Sequence, residues 1–522
     1  MKKNSIFLIL VLIFGISLEI QAAQKKQPPK TAPKEQPKMG GTLVVGLGKA
    51  LSNPNPFVST SSTNRFVREA SYESLLTQDD DGKIVPNLAM AYEVSSGGTV
   101  FTLHLRKGVK FHNGQEMKAD DVIWSANHVK DPRNGAYGQN ILTKDLKSFE
   151  KIDDYTVKFT LLKPSVTFLF HLSTIQMLPI LPVSSLKPGQ IKLGKDAFVP
   201  GTGPFILEQF QPGFDMVLKK HPEYWGVPAY LDKIIIRPIA DNDSRFNALR
   251  TGDVQVAERL GVLDAARIKK GDVKGVKVLE EPLGGYQQIC FNYKNPLFQK
   301  LEMRQAVSYA TDKQRLVDEV YFGHAMKTDL MMDSQDIWSK AADLSPHKRD
   351  LVKAKALLKV AGYSGQELVL IGQKASAQSM ESFQRMLGEA GIKVKLEILE
   401  GGVYSERFIA GKYDLIFDGS NITGEPIVTM SPDYYTNKVY PAQYSNPKVD
   451  QLFDSLDKEF DKTKRLKIFK ELAWMLHNDV ASLPLFFEFR YLGLSEKVQG
   501  FGPPPGYSYS ESGEYFRQAW LI

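Results

Sequence analysis

Between about residue 300 and residue 490 the sequence keeps changing its period, and this constrains the fold more than anything else in it. Leu301 to Tyr321 carries Met303, Ala306, Val307 and Ala310 at helical spacing. Asp350 to Ala361 carries Leu351, Ala354, Leu357 and Leu358 and stops at Gly362, and Met380 to Ala390 stops at Gly391. Strand candidates lie among them, Ile392 to Leu399 and Tyr413 to Phe417. Two further helices are predicted, Pro447 to Phe460, with Pro447 in the first turn, and Thr463 to Asn478, with Thr463 as the N-cap. A period near 3.6 marks helices buried on one face, and short β-rich runs mark strands. A chain alternating the two must lay helices on a sheet, so this stretch predicts one α/β lobe.

The first half mixes the same signals. Thr42 to Gly48 reads as a strand, followed by a loop rich in Asn, Pro and Ser, then a helix from Asn64 to Leu75. Asp80-Asp81-Gly82 and His112-Asn113-Gly114 are turn signals, and Thr99 to Leu105 alternates as a half-buried strand does. Ala119 to Val129 places Val122, Ile123, Ala126 and Val129 on one helical face, with Asp120 and Asp121 where the helix dipole favours acids. No fixed-period repeat occurs. At 522 residues the chain exceeds one ordinary core, so two or three substructures are expected.

The N-terminus has its own character. Met1-Lys2-Lys3 is followed by the apolar run Ile6 to Ile16 and by Ala22 and Ala23. The run is shorter than the roughly 20 residues a membrane span needs and suits a cleavable signal peptide over residues 1–23. Residues 24–39 are Lys/Pro-rich, with almost nothing apolar to bury, and are expected to be a disordered tether. Five lysines and one glutamate in that tether, with Lys2, Lys3 and Glu19 of the leader, account for most of the formal charge of +7. The body from Gly40 onward is close to neutral, which argues against nucleic acid as a partner. Cys290 is the single cysteine and lies deep in the mature chain. The leader therefore has no cysteine to carry a lipid, no internal disulfide can form, and a periplasmic location is the expectation.

Catalytic signatures are missing. No HExxH, paired CxxC, Walker A or GxSxG sequence is present, and the eight histidines are scattered. Ser184 to Lys187 fits SxxK without its companion KTG element. Gly46-Leu47-Gly48 follows a strand, but Leu51 occupies the third glycine position of a dinucleotide loop and no helix follows directly. Neither an enzyme nor a resident cofactor or metal is expected.

Leu105 to Val129, LRKGVKFHNGQEMKADDVIWSANHV, closely resembles the signature of extracellular solute-binding protein family 5, the receptors of peptide and nickel ABC importers. Lys118 departs from it, standing where the family usually has threonine. Further likenesses follow in order: Pro200 to Phe205, His221 to Gly226, Leu231 to Ile234, Asp241 to Gly252, Phe291-Asn292 with Phe298, and Met303 to Ala325. The resemblance implies an α/β, two-lobed periplasmic binding protein with a hinge and an extra N-terminal subdomain. Lobe I would combine 40–54, 200–280 and 488–522, the extra subdomain would be 55–199, and lobe II would be 281–487. Crossings near Leu283 to Tyr286 and Glu488 to Arg490 would form the hinge, with Gly284 and Gly285 absorbing rotation.

Such a receptor would be a monomer that closes on a small ligand and presents it to ABC permease subunits in the inner membrane. A sensor or chaperone of the same fold is the rival. Two loops are expected to supply hydrogen bonds, Ser52 to Ser62 and Asp418 to Glu425. The ligand-binding candidates in them are Asn53, Ser420, Asn421 and Thr423, with Asp418 as the nearest carboxylate. Peptide receptors of the family commonly pair an aspartate in the second loop with the peptide's α-ammonium, and here Ile422 stands at that place. A peptide is the first expectation for the ligand, ahead of a sugar, opine or other polar solute, with a nickel chelate behind these. N-terminal sequencing of the purified protein should give a start close to Ala23 on material that needs no detergent; an intact leader on membrane-bound protein would contradict the signal peptide.

Overall fold

The computed structural model describes residues 36–50, 53–58, 64–79, 83–186, 199–332, 337–345, 347–421, 424–436, 444–502 and 516–522. The leader and nearly all of the tether lie outside the described residues, as do Asp80-Asp81-Gly82 and Lys187.

Strand β1 (Thr42–Leu47) opens the body. The helix expected at Asn64 to Leu75 is shorter, Arg65–Ser71, and ends where Tyr72 turns extended. An antiparallel sheet follows, built from β2 (Ala89–Ser95), β3 (Val100–Leu105), β4 (Leu146–Asp153) and β5 (Thr156–Leu161), in the order β2-β3-β5-β4. Helix α1 (Ala119–Lys130) packs on it. Asp121 accepts from the Lys118 backbone N–H at 2.8 Å, the half of a capping box that does not need a hydroxyl. The Lys118 ammonium pairs with Asp154 instead. This sheet and helix close their own core, including Phe101, Leu103, Val122, Phe159 and Phe168.

The chain then returns to β1 through β6 (Phe205–Gln209), β7 (Met216–Lys220), β8 (Lys233–Pro238) and β9 (Val256–Ala257). β1 lies parallel to both β8 and β9, and a second core forms around Leu43, Val45, Phe205, Leu218 and Ile234. Gly46 and Gly48 have a structural role here: a Cβ on either would stand about 3.3 Å from the buried Arg245 side chain. Arg245 donates to the carbonyls of Ile239 and Glu258, so the two glycines let a guanidinium lie over the strand end.

The second half hangs on β10 (Val276–Phe291). Helices α2 (Leu301–Ala310) and α3 (Lys313–Tyr321) replace the single helix that the sequence pattern predicts. Asp312 interrupts it by capping the second helix through the Arg315 N–H at 3.0 Å. Strand β11 (Leu368–Gln373) leads to α4 (Ala377–Glu389), β12 (Val394–Leu399) to α5 (Gly401–Ile409), and β13 (Leu415–Asn421) to α6 (Pro426–Tyr434). Helices α7 (Pro447–Lys458) and α8 (Lys462–Asn478) come next, before β14 (Ser482–Ser495). The N-cap of α8 is Asp461, not Thr463: its carboxylate accepts from the Lys464 N–H at 2.9 Å, which a residue already inside the first turn cannot do.

One large sheet runs through both halves in the order β12-β11-β13-β10-β14-β9-β1-β8-β7-β6. Its centre is the antiparallel pair of β10 and β14, which reaches from Val276↔Ser495 to Cys290↔Ser482. The register slips between Pro282 and Tyr286, opposite Phe487 to Phe489, and Glu281 pairs with Arg490 beside the slip.

Candidate functional site

Strands β11, β12 and β13 are parallel, so their C-terminal ends share one edge. From that edge the chain passes into α4 through the short turn Lys374–Ser376, into α5 through Glu400, and into α6 through Gly424 and Glu425. Three strand-to-helix turns therefore gather there, at the position where open α/β sheets take ligands. The first turns of three helices belong to the same edge, and in α6 that turn is capped, Ile427 donating its N–H to Glu425.

The turn after β13 is pinned at both ends. Asn421 pairs with Gly285 of β10, so the ladder runs to the last residue before the turn. Beyond it, Glu425 accepts from the Ile427 N–H and from both terminal nitrogens of Arg465, at 2.6 and 3.2 Å. Arg465 stacks on Trp338, whose indole N–H donates to the Gly424 carbonyl. A buried ion pair thus holds a short turn in place.

The predicted site residues lie on two different elements. Asn53 lies in the loop after β1, where its Oδ1 accepts from the Asn55 N–H at 2.9 Å and its carbonyl from the Asn64 amide. The stretch from Asp418 is not the loop that was expected. Asp418, Gly419, Ser420 and Asn421 are strand residues, because β10 is long enough to give each a partner, Gln288 to Gly285 in turn. Asp418 is half-buried and accepts from the Tyr404 hydroxyl at 2.7 Å. Burial pushes its carboxyl above the ordinary range. Ser420 and Asn421 are placed by their backbones at the end of the strand, while Ile422 and Thr423 lie outside the described residues.

A polar cluster that the sequence does not announce lies behind this edge. Asp433 of α6 accepts from the Tyr286 hydroxyl and the Gln288 amide of β10, both at 3.1 Å. Ser482 of β14 donates to Gln288 at 2.7 Å and shares a hydrogen bond with Tyr434 at 2.6 Å. Asp418 stands directly across the ladder from Gln288. Burial pushes the Asp433 carboxyl up to about 7, with the Asp418 charge adding to the rise, and Oδ1 of Asp433 has no partner. Burial beside the two acids pushes the Cys290 thiol well up and leaves it unreactive. Among the described residues no group of three His, Cys, Asp or Glu is arranged to hold a metal.

Residues 83–446 match the profile of the bacterial extracellular solute-binding proteins, family 5. The chain belongs to this family. It is a solute-binding protein of the kind that serves ABC importers. It is 29% identical to a glutathione-binding protein, GsiB, of Salmonella choleraesuis (strain SC-B67), covering 90% of this chain and 94% of that protein. Among solved structures it is similar to AgaA of A. tumefaciens R10 in complex with agropinic acid, at TM-score 0.74 and 27% identity, covering 92% of this chain and 99% of that one. It is also similar to the periplasmic binding protein DppA of Helicobacter pylori in complex with the peptide STSA, at TM-score 0.75 and 25% identity, covering 93% and 98%. These relatives are binding proteins, and the family's two-lobed α/β fold is the fold of this chain.

Two consequences of the site's construction can be measured. The unfolded chain releases the Asp433 proton near 3.8 and the folded chain near 7, so ionised Asp433 destabilises the fold and stability falls as pH rises through that window. Asp433→Asn keeps an acceptor for Tyr286 and Gln288 but has no proton to lose. Its stability gain over wild type, read by urea unfolding, should grow by about 2–3 kcal/mol between about pH 5 and pH 8; a gain independent of pH would show that Asp433 ionises normally. Separately, Arg465→Met strands a buried Glu425 carboxylate and should cost about 3–5 kcal/mol, most of it regained in the double variant Glu425→Gln/Arg465→Met.

Proposed function

We propose that this protein is a periplasmic receptor whose lobes close by hinge motion on a short peptide or peptide-like solute, and which hands that solute to ABC permease subunits in the inner membrane. It is made with a cleavable signal peptide, works as a monomer and performs no chemistry on its ligand. The observation that carries this reading is the β10–β14 crossing. Two strands join separately packed halves, and their register slips beside Gly284 and Gly285. Rotation concentrated at such a slip opens and closes a cleft without disturbing either core. Among the described residues no helix is long and apolar enough to cross a membrane.

The cores support the expected division in outline: one lies within 57–199, one within 289–486, and one joins 43–47 to 205–236 and 492–519 but also takes in Phe66, Val67 and Ala70 of the segment expected in the extra subdomain. The ligand class follows from the relatives and from what the β13 turn lacks. GsiB is named for glutathione and DppA holds a peptide, which makes a short peptide the first candidate. Ile422 gives such a ligand's α-ammonium no carboxylate at the usual place, and an ammonium buried without a partner costs several kcal/mol. A peptide blocked at its amino terminus, or another polar solute with no free ammonium, avoids that cost, whereas a γ-linked peptide keeps its α-ammonium and does not. Asn53, Ser420, Asn421 and Thr423 supply neutral hydrogen bonds in this reading, with Asp418 as the nearest carboxylate in sequence.

Native mass spectrometry of the freshly purified protein identifies the ligand that closed lobes retain. Asn421→Ala should weaken its binding about tenfold, with little change in the melting temperature of the unliganded protein. Calorimetry then compares a peptide with its N-acetylated form, and Ile422→Asp should improve binding of the free amine. Tight binding of the free amine by wild type, lost on acetylation, would assign the ammonium to Asp418 or another acid and refute the neutral site.

A further inference from the structure

The C-terminal end of α7 touches the extra subdomain far from the hinge. Oδ1 of Asp457 accepts from the Ser165 hydroxyl at 2.8 Å, the Thr167 hydroxyl at 2.6 Å and the Thr167 N–H at 3.3 Å. The Asp457 carbonyl accepts from the Val166 N–H at 2.7 Å. Three residues on, the Phe460 ring lies over Gly98 and Pro164, where a Cβ on Gly98 would stand 2.5 Å from Cε2, and its centroid is 6.4 Å from that of Phe101. Gly98 has φ +90° and is therefore glycine on two counts, backbone conformation and the space the ring occupies. Close by, Gly424 of the β13 turn stands next to Gln78, 4.0 Å from Oε1 by the same measure.

These contacts join segments about 290 residues apart in sequence, yet no apolar core is continuous across them. Among the described residues the subdomain core and the core beneath α7 and α8 are separate clusters, and what the end of α7 puts into the seam is one carboxylate, one carbonyl and the edge of one ring. Its donors and acceptors can be rehydrated when it parts, and the Phe460 residue is already 36% exposed. A seam of that composition can open without unfolding either side, whereas a shared hydrophobic core could not.

We propose that the end of α7 is a latch by which lobe II grips the extra subdomain as the cleft closes, with Asp457 the positioning residue that sets how readily closure occurs. It acts through the open–closed equilibrium and does not touch the ligand. Apparent affinity falls by whatever factor the closed population falls, for every ligand alike. The proposal rests on the hinge-closure reading, and the experiment separates the two.

Nitroxides attached through azide-bearing residues at the exposed positions Ile152 and Val360, one on each side of the seam, leave cysteines free for other use. Pulsed electron–electron distance measurements on the ligand-free full chain should give a short and a long population. Asp457→Ala should cut the short one about tenfold and leave the melting temperature unchanged. Asp457→Asn, which retains the acceptor oxygen, should restore most of it. In Ser165→Cys/Asp457→Cys, oxidation should leave the short distance alone, and reduction should return the longer one. A short population unchanged in Asp457→Ala overturns the latch while leaving hinge closure standing. One distance shared by wild type and the oxidised double-cysteine protein, with a lowered melting temperature for Asp457→Ala, makes the seam permanent and overturns both.

Discussion

Everything in this chain depends on the pairing of β10 with β14. Strands contributed by residues more than 190 positions apart form the middle of the large sheet, and each runs from one half of the molecule into the other. At the crossing Glu281 and Arg490 face each other with nitrogen and oxygen 2.9 Å apart and almost no solvent exposure. Such a pair adds little net stability over an apolar one, but a slipped register would bury each charge alone at several kcal/mol. The ion pair therefore fixes which residues are opposite. Immediately beyond it the ladder is free to slip, since Pro282 has no N–H to donate and Gly284 and Gly285 tolerate unusual backbone angles.

That order, a rigid register followed by a permissive one, also decides what forms the ligand edge. After the slip β10 pairs with β14 again, with a second shift between Gln287 and Gln288, and from Gly285 to Phe291 it carries β13 on its other side in unbroken register. The end of β13, the β11 and β12 ends and three helical first turns are therefore referenced to the crossing strand. The Glu425–Arg465 pair does for the far side of the β13 turn what the ladder does for the near side. The buried Asp433–Gln288–Ser482–Tyr434 cluster ties α6, β10 and β14 together behind it. The residues flanking the turn are held in this way, and fixing such flanks before binding reduces its ordering cost.

Local chemistry was readable in the sequence and distant pairing was not. The periodicity of Leu351 to Ala361 and its stop at Gly362, Pro447 in a first turn, and Asp120 and Asp121 at the start of α1 all act within a few residues, and each stands where the pattern puts it. The break at Asp312 was missed because helical spacing continues across it, and only its side-chain cap reveals it. Asp418 to Asn421 read as a loop since Gly, Ser and Asn are poor strand formers in isolation. They pair because β10, more than 130 residues earlier, presents a complete backbone ladder. The acid at Asp433 carries no signal at all, its partners coming from β10 and, through Gln288, from β14. The family motif between Leu105 and Val129 was the most legible stretch, and it lies in the subdomain sheet and α1, on none of the strands β11, β12 and β13.

Hinge, edge and seam constrain one another energetically. A receptor that signals by closing needs an unliganded closed state that is rare but reachable, because a ligand shifts the equilibrium only by its differential affinity for the two forms. A seam of several neutral or singly charged hydrogen bonds, each worth about 0.5–1.5 kcal/mol net, is of the right order to tune such an equilibrium. A ligand edge built from neutral amide and hydroxyl groups contributes similar increments, so neither element can dominate. A full ion pair to an α-ammonium would weigh the balance toward the ligand and make the seam irrelevant. On the proposed reading, with Ile422 at that place, closure would draw on both, and the Asp457 contacts and the missing carboxylate at position 422 would be two sides of one arrangement, a cleft whose closing is shared between its ligand and its own far rim.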